Sequence, residues 1–183
     1  LALPLQRTDA GGQFGIVRDP HYLGLNPNGL VPLIEDEGGV VLWESNTICR
    51  YLATKHRSLA LLPSEPLPRA RVEQWMDWQA TELNNAWRYA FMALVRKSPA
   101  HTDAAAVDAG IVQWGRHMQI LDAQLAKTGA YAAGPDFTLA DIVLGLSTQR
   151  WMATPIDAAK RPPLPAVQAY YERLSQRLPF LAH

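Results

Sequence analysis

Asn26-Pro27-Asn28-Gly29-Leu30-Val31-Pro32-Leu33-Ile34, continued by Leu42-Trp43-Glu44-Ser45-Asn46-Thr47-Ile48-Cys49-Arg50-Tyr51-Leu52, is the stretch that decides how this chain folds. Asn26 to Gly29 sets Asn, Pro, Asn and Gly in succession, a dense turn signal. Val31 to Ile34 and Val40 to Trp43 are short apolar runs of strand length, and Asp36-Glu37-Gly38-Gly39 between them reads as a hairpin loop. Ser45 stands at the cap position of a helix that carries Ile48 and Leu52 on one face. A turn, a strand, a hairpin and a capped helix are therefore expected in that order.

Beyond this stretch the composition shifts. Leu62-Pro63-Ser64-Glu65-Pro66-Leu67-Pro68 is rich in proline and reads as a linker, so the expected division is 1–62, a linker at 63–68, and 69–183. From Arg69 to about Arg96 there is no Pro or Gly, which predicts one long helix stopped near Ser98-Pro99. His101-Thr102-Asp103 opens another. Its Val107, Ile111, Trp114, Met118, Leu121 and Leu125 alternate four and three apart, and Gly129 closes it. Thr138 with Asp141 makes a capping box, Asp replacing the usual Glu or Gln, and Phe137 and Ile142 occupy the staple positions. A last helix is expected from about Pro165, carrying Val167, Tyr170, Tyr171 and Leu174.

With 183 residues and 48% hydrophobic composition the chain can bury a sizeable core. Its 17 basic and 17 acidic side chains cancel, so no nucleic acid and no anionic membrane is expected as a partner. No stretch approaches the ~18 consecutive apolar residues of a membrane span. The single Cys49 rules out an internal disulfide, fits a reducing compartment, and reads as a buried, inert thiol. Histidines at 21, 56, 101, 117 and 183 show no metal-ligand spacing, so no metal is expected. Serine-hydrolase elbow, phosphate-binding loop and dinucleotide fingerprint are all missing from the sequence.

The turn, Val31-Pro32, the hairpin and Glu44-Ser45 together resemble the glutathione-binding half of the cytosolic glutathione transferases. Asp9-Ala10-Gly11-Gly12-Gln13-Phe14-Gly15 looks like the loop preceding the turn in bacterial members. Trp75 to Leu83 looks like their first long helix, and Phe137-Thr138-Leu139-Ala140-Asp141-Ile142 is similar to their buried capping motif. The resemblance covers nearly the whole chain. It implies an α/β thioredoxin-like N-terminal domain followed by an all-α helical-bundle C-terminal domain. Leu1 to Asp9 corresponds to the family's second strand, so the resemblance implies that the first strand, the catalytic turn and the first helix lie N-terminal to Leu1.

The activity implied is transfer of glutathione, its thiolate attacking small hydrophobic electrophiles. A glutathione-dependent reductase, isomerase or dehalogenase is the first alternative, and a non-catalytic binding or regulatory protein of the same fold is the second. Carried over residue by residue, the glutathione contacts would be Val31, Pro32, Glu44, Ser45, Asn28 and Asp77. Val31 would exchange main-chain hydrogen bonds with the cysteinyl unit beside a cis Pro32. Ser45, at a helix N-terminus, would take the glutamyl carboxylate and Glu44 its ammonium. Leu30 stands where many relatives carry Lys, Arg or Gln and cannot bind the glycine carboxylate; either affinity is weaker or Asn28 substitutes. Asp77 reads equally as a solvated helix acid or as the group that reaches a partner subunit's glutamyl moiety. The aromatics Trp75, Trp78, Trp87, Tyr89 and Phe91 read first as core and interface packing, while Trp87, Arg88 and Phe91 are the candidates for the second-substrate pocket. The resemblance further implies a cytoplasmic homodimer engaged in detoxification, with glutathione as co-substrate. The group that stabilises the thiolate is unknown in this chain, its expected place being before Leu1.

Overall fold

The fold was analysed in a computed structural model, which describes residues 1 and 3–177. His183 of the sequence reading lies outside the described residues. The chain divides into two compact units, Leu1–Leu59 and Ala60–His183.

In the first unit, a glycine-rich loop leads through two single turns of 3-10 helix into α1 (Pro20–Leu25), which Asp19 caps by accepting from His21 N at 2.8 Å. The hairpin follows as β1 (Leu33–Asp36) and β2 (Val40–Trp43), antiparallel, with Leu33 opposite Trp43 and Asp36 opposite Val40. The first strand thus begins two residues later than the apolar run suggests. Pro32 has no N–H to give to a ladder, so pairing starts beyond it. Leu3 to Thr8, aligned by resemblance with a strand, belongs to no strand among the described residues. Helix α2 (Ser45–Lys55) follows Trp43 with one residue, Glu44, between them, and buries Ile48 and Ala53. It is tied back to the hairpin by Asp36, whose carboxylate accepts from Lys55 Nζ at 2.7 and 2.8 Å and from Tyr51 Oη at 2.7 Å. These contacts hold the Asp36 carboxyl down at a pKa of about 2, the Lys55 hydrogen bond contributing most, and push those of Lys55 and Tyr51 up.

The second unit is helical. Helix α3 (Pro66–Trp78) opens within the stretch read as a linker, because a proline at the first helical position costs no hydrogen bond there. The expected long helix is instead α3, a π turn at Gln79–Leu83 and α4 (Asn84–Leu94). The wide turn brings Gln79, buried, to Asn84 Oδ1 at 3.0 Å and Ser147 Oγ at 2.9 Å, while Trp87 Nε1 donates to Asn84 Oδ1 at 2.9 Å. These internal partners account for the break in the i→i−4 ladder, which no residue pattern announces.

Helix α5 (Ala104–Thr128) begins at Asp103, which accepts from Ala105 N, and ends at Gly129 with φ 78°. The α4–α5 crossing is close. A Cβ on Gly110 would lie 3.4 Å from Ala90 Cβ, so small residues set that approach. Helix α6 (Leu139–Ala153) and α7 (Pro165–Ser175) complete the unit. Met76, Leu83, Trp114, Met118, Leu121, Leu144, Trp151, Val167, Tyr170 and Leu174 form its core. Asp141, also buried, accepts from Thr138 N at 2.9 Å, Thr138 Oγ1 at 3.1 Å, Ala132 N at 3.0 Å and Tyr170 Oη at 3.1 Å. Burial raises its pKa, against the four hydrogen bonds that favour the carboxylate.

Candidate functional site

Asn26 builds the first wall of the candidate site. Almost wholly buried, it donates from Nδ2 to the Leu30 carbonyl at 2.8 Å and accepts from Asn28 N at 3.1 Å. Tyr22 Oη donates to the same Leu30 carbonyl at 2.7 Å. The turn is therefore clamped from inside immediately before Val31. The Val31–Pro32 peptide is cis, as the resemblance implied. Val31 is 55% exposed, its side chain packs over Gly11, and among the described residues no backbone group pairs with its own. A Cβ on Gly11 would come within 3.2 Å of Val31 Cγ2, which explains a glycine there. Val31 thus leaves its main-chain groups open in the manner of a strand edge.

Glu44 joins β2 to α2 single-handed. A strand running directly into a helix leaves one residue to reverse the chain, and Glu44 takes φ 73°, ψ 112°, a region that costs a side-chain-bearing residue energy. This corrects the cap assignment. Glu44 is the N-cap, without a side-chain hydrogen bond to the helix, and Ser45 is the first helical residue. The first intrahelical bond runs from Ile48 N to Glu44 O at 2.9 Å, so the N–H groups of Ser45, Asn46 and Thr47 precede the ladder. Glu44 and Ser45 are exposed. Since Leu33 faces Trp43, Val31 and Ser45 each lie two residues beyond that pair, at the same end of the hairpin. One end of the first unit therefore presents an open peptide edge, a carboxylate, a hydroxyl and a helix N-terminus. That set suits a small peptide carrying both an ammonium and a carboxylate.

Asn28 is exposed at the turn, its Nδ2 donating to Asn26 Oδ1 at 3.2 Å. Leu30, 63% exposed, has only an apolar side chain to offer. Asp77 lies on the exposed face of α3, and its carbonyl accepts from Thr81 Oγ1 at 3.0 Å. Trp75 and Trp78 stack edge to face at 5.1 Å, and Trp78 also meets His117 of α5 at 5.9 Å, so packing within the unit occupies part of both rings.

Trp87 and Phe91, one turn apart on α4, stack at 5.2 Å, and Trp87 continues through Trp114 to Trp151 at centroid distances of 6.2 and 5.0 Å. Arg88 is exposed and takes no part in that stack. The charges that do are Arg150 of α6, with its guanidinium 4.2 Å from the Trp87 centroid and 5.1 Å from that of Phe91, and Arg96, 5.8 Å from the Phe91 centroid. Sequence reading missed Arg150 because only helix packing brings α6 against α4. Asn26 and Tyr22 were missed as well. An Asn-Pro-Asn-Gly turn signals a turn without saying which side chain it swallows. Cys49 is half-buried and burial raises its thiol pKa, the behaviour of an unreactive cysteine. No cluster of metal-ligating side chains occurs among the described residues. No helix of the described residues is long and apolar enough to cross a membrane.

Residues 13–55 match the family model described as glutathione S-transferase, N-terminal domain, and residues 104–173 match the corresponding C-terminal domain. The chain is 39% identical over 178 residues to glutathione S-transferase GstB of Escherichia coli, covering 97% of this chain and 84% of that one. It is 34% identical over 170 residues to glutathione S-transferase 3 of Zea mays, covering 91% and 75%. Among solved structures, it is similar to a theta class glutathione S-transferase from Xanthomonas axonopodis pv. citri with glutathione bound. The TM-score there is 0.84 and the identity 40%, over 94% of this chain and 80% of that one.

Proposed function

The chain belongs to the glutathione S-transferase family and is a glutathione transferase, and from that premise we propose how its own residues hold the tripeptide. The cysteinyl unit lies along Val31 and trades main-chain hydrogen bonds with it. The glutamyl carboxylate sits on the N-terminus of α2, where the Ser45 hydroxyl and the leading N–H groups face it and the helix dipole favours its charge. Glu44, exposed at the joint between β2 and α2, pairs with the glutamyl ammonium. Asn28 is the polar group at the turn nearest the place of a glycine carboxylate, in the absence of a cation at Leu30.

The observation that carries this reading is the pairing, at one hairpin end, of the open Val31 edge with the strained Glu44 that launches α2. Strain of this kind persists where the surrounding structure over-determines it, and functional sites are where it collects. The second substrate is a small hydrophobic electrophile bordered by Trp87 and Phe91. In the reaction the sulfur of the glutathione thiolate bonds to the electrophilic carbon. The leaving group departs with its electron pair, and the thiol proton passes to solvent. The protein works as a cytoplasmic two-fold homodimer in detoxification, with Asp77 reaching the partner's glutamyl site.

Calorimetry with glutathione tests the site. Ser45→Ala should weaken binding by about 1–3 kcal/mol, the range for a hydrogen bond to a charged group. Wild-type affinity in the variant removes Ser45 from the site.

A further inference from the structure

Among the described residues, Arg150 is a charge without a counter-charge. Its guanidinium lies over the rings of Trp87 at 4.2 Å and Phe91 at 5.1 Å, and among the described residues it makes no hydrogen bond or ion pair. A second guanidinium, that of exposed Arg96, lies 5.8 Å from the centroid of the same Phe91 ring. Burial and the neighbouring Arg96 both lower the pKa of Arg150, and no acidic group acts in the other direction. Nor is Arg150 spent on closing its helix. The last turn of α6 is satisfied by Thr154 Oγ1, which donates to the Arg150 carbonyl at 2.7 Å, and by Arg161, which donates to the Trp151 and Thr154 carbonyls at 2.9 and 2.7 Å.

Stacking on two rings accounts for the placement of one arginine. It gives no account of a second cation drawn to the same ring with no carboxylate of the described residues acting on Arg150, since like charges at a half-buried surface repel. Two guanidinium forks beside an aromatic shelf have the chemistry to take a flat ligand with a carboxylate at its edge. The ring stacks on Trp87 and Phe91, and the carboxylate pairs with Arg150.

We propose that the Trp87–Phe91–Arg150 stack, with Arg96 at its rim, is a binding site for aromatic carboxylates, and hence that the electrophiles this transferase prefers carry an anionic group. The second half of the inference rests on the reading of Trp87 and Phe91 as the border of the second-substrate site. The first half depends on the helical unit alone.

The test compares 2-naphthoate with its neutral counterpart 2-naphthamide, by calorimetry on the full chain with and without saturating glutathione. The acid should bind at least about tenfold more tightly than the amide, the advantage expected of one charge-assisted hydrogen-bonded pair. That advantage should shrink as salt is raised. Arg150→Gln should abolish it while leaving the amide within about twofold of wild type, as expected when only the charged pair is lost. Arg96→Gln, at an exposed position, should reduce it and provides a second reading if Arg150→Gln does not fold. Equal affinities of acid and amide in the wild type overturn the proposal, as does an advantage unchanged in both variants. Glutathione affinity, measured in the same samples, separates the two readings. Its absence refutes the glutathione site, while the acid–amide ratio decides the carboxylate site either way.

Discussion

Replacing Asp141 by Ala should be among the most destabilising single changes in the helical unit. The carboxylate is 1% exposed and receives four hydrogen bonds, two of them from the backbone N–H groups of Ala132 and Thr138. Alanine leaves both N–H groups with no acceptor in a buried setting, and an orphaned buried donor costs about 1–3 kcal/mol, hence about 2–6 kcal/mol for the pair. Two effects pull the figure down. Tyr170 Oη retains a contact of 3.4 Å with the residue 141 carbonyl, and the burial cost of the carboxylate, visible in its raised pKa, disappears with the side chain. A loss of about 2–4 kcal/mol is therefore expected. Asp141→Asn should lose less, since its one carbonyl oxygen still accepts, though its amide nitrogen then faces a donor. Urea unfolding followed by tryptophan fluorescence reads the helical unit, which carries Trp75, Trp78, Trp87, Trp114 and Trp151. An Asp141→Ala unfolding free energy within about 1 kcal/mol of wild type, at unchanged m, would show that the four contacts do not act together and refute the reasoning.

Three further outcomes follow from other residues. Asp36 has a folded pKa of about 2, below its unfolded value, so its stabilising effect is present above about pH 4 and is lost as pH falls toward 2; Asp36→Asn should flatten the acid limb of a stability profile over that window, and an unchanged limb counts against the Asp36–Lys55–Tyr51 tie. Asn26→Ala should loosen the turn that presents Val31, weakening glutathione binding by about 1–2 kcal/mol with little change in the unfolding of the helical unit; undiminished affinity would mean that Tyr22 alone holds the Leu30 carbonyl. Asp77→Ala should lower glutathione affinity without unfolding the chain, and sedimentation at micromolar concentration should show a dimer; a monomer with binding intact defeats the cross-subunit role.

Local signals in this chain are strong where the backbone chemistry is local. Asp103 caps α5 and Gly129 closes it because an N-cap acceptor and a left-handed C-terminal residue act within one turn. Asp141 reaches Thr138 for the same reason, and the order of turn, hairpin and helix around Val31-Pro32 was legible from residue types alone. Glu44 and Ser45 were legible as a pair but not in their roles. The cap moved to Glu44 because β2 runs straight into α2 and one residue had to absorb the reversal.

What only the tertiary structure decided are the contacts made between elements. Asn26 and Tyr22 converge on the Leu30 carbonyl, the π turn opens to let Gln79 reach Ser147, and Arg150 comes from α6 to lie on two rings of α4. No periodicity encodes these meetings, because hydrophobic spacing states which face of a helix is buried and not which helix will cover it. Sequence by itself determined the hairpin, the helix that follows it, helices α5 to α7 and the resemblance to the family, but not α1, the π turn or the course of residues 3–8. Packing determined which polar and charged side chains were drawn inward and stacked on the rings, and with them the chemistry of the helical unit.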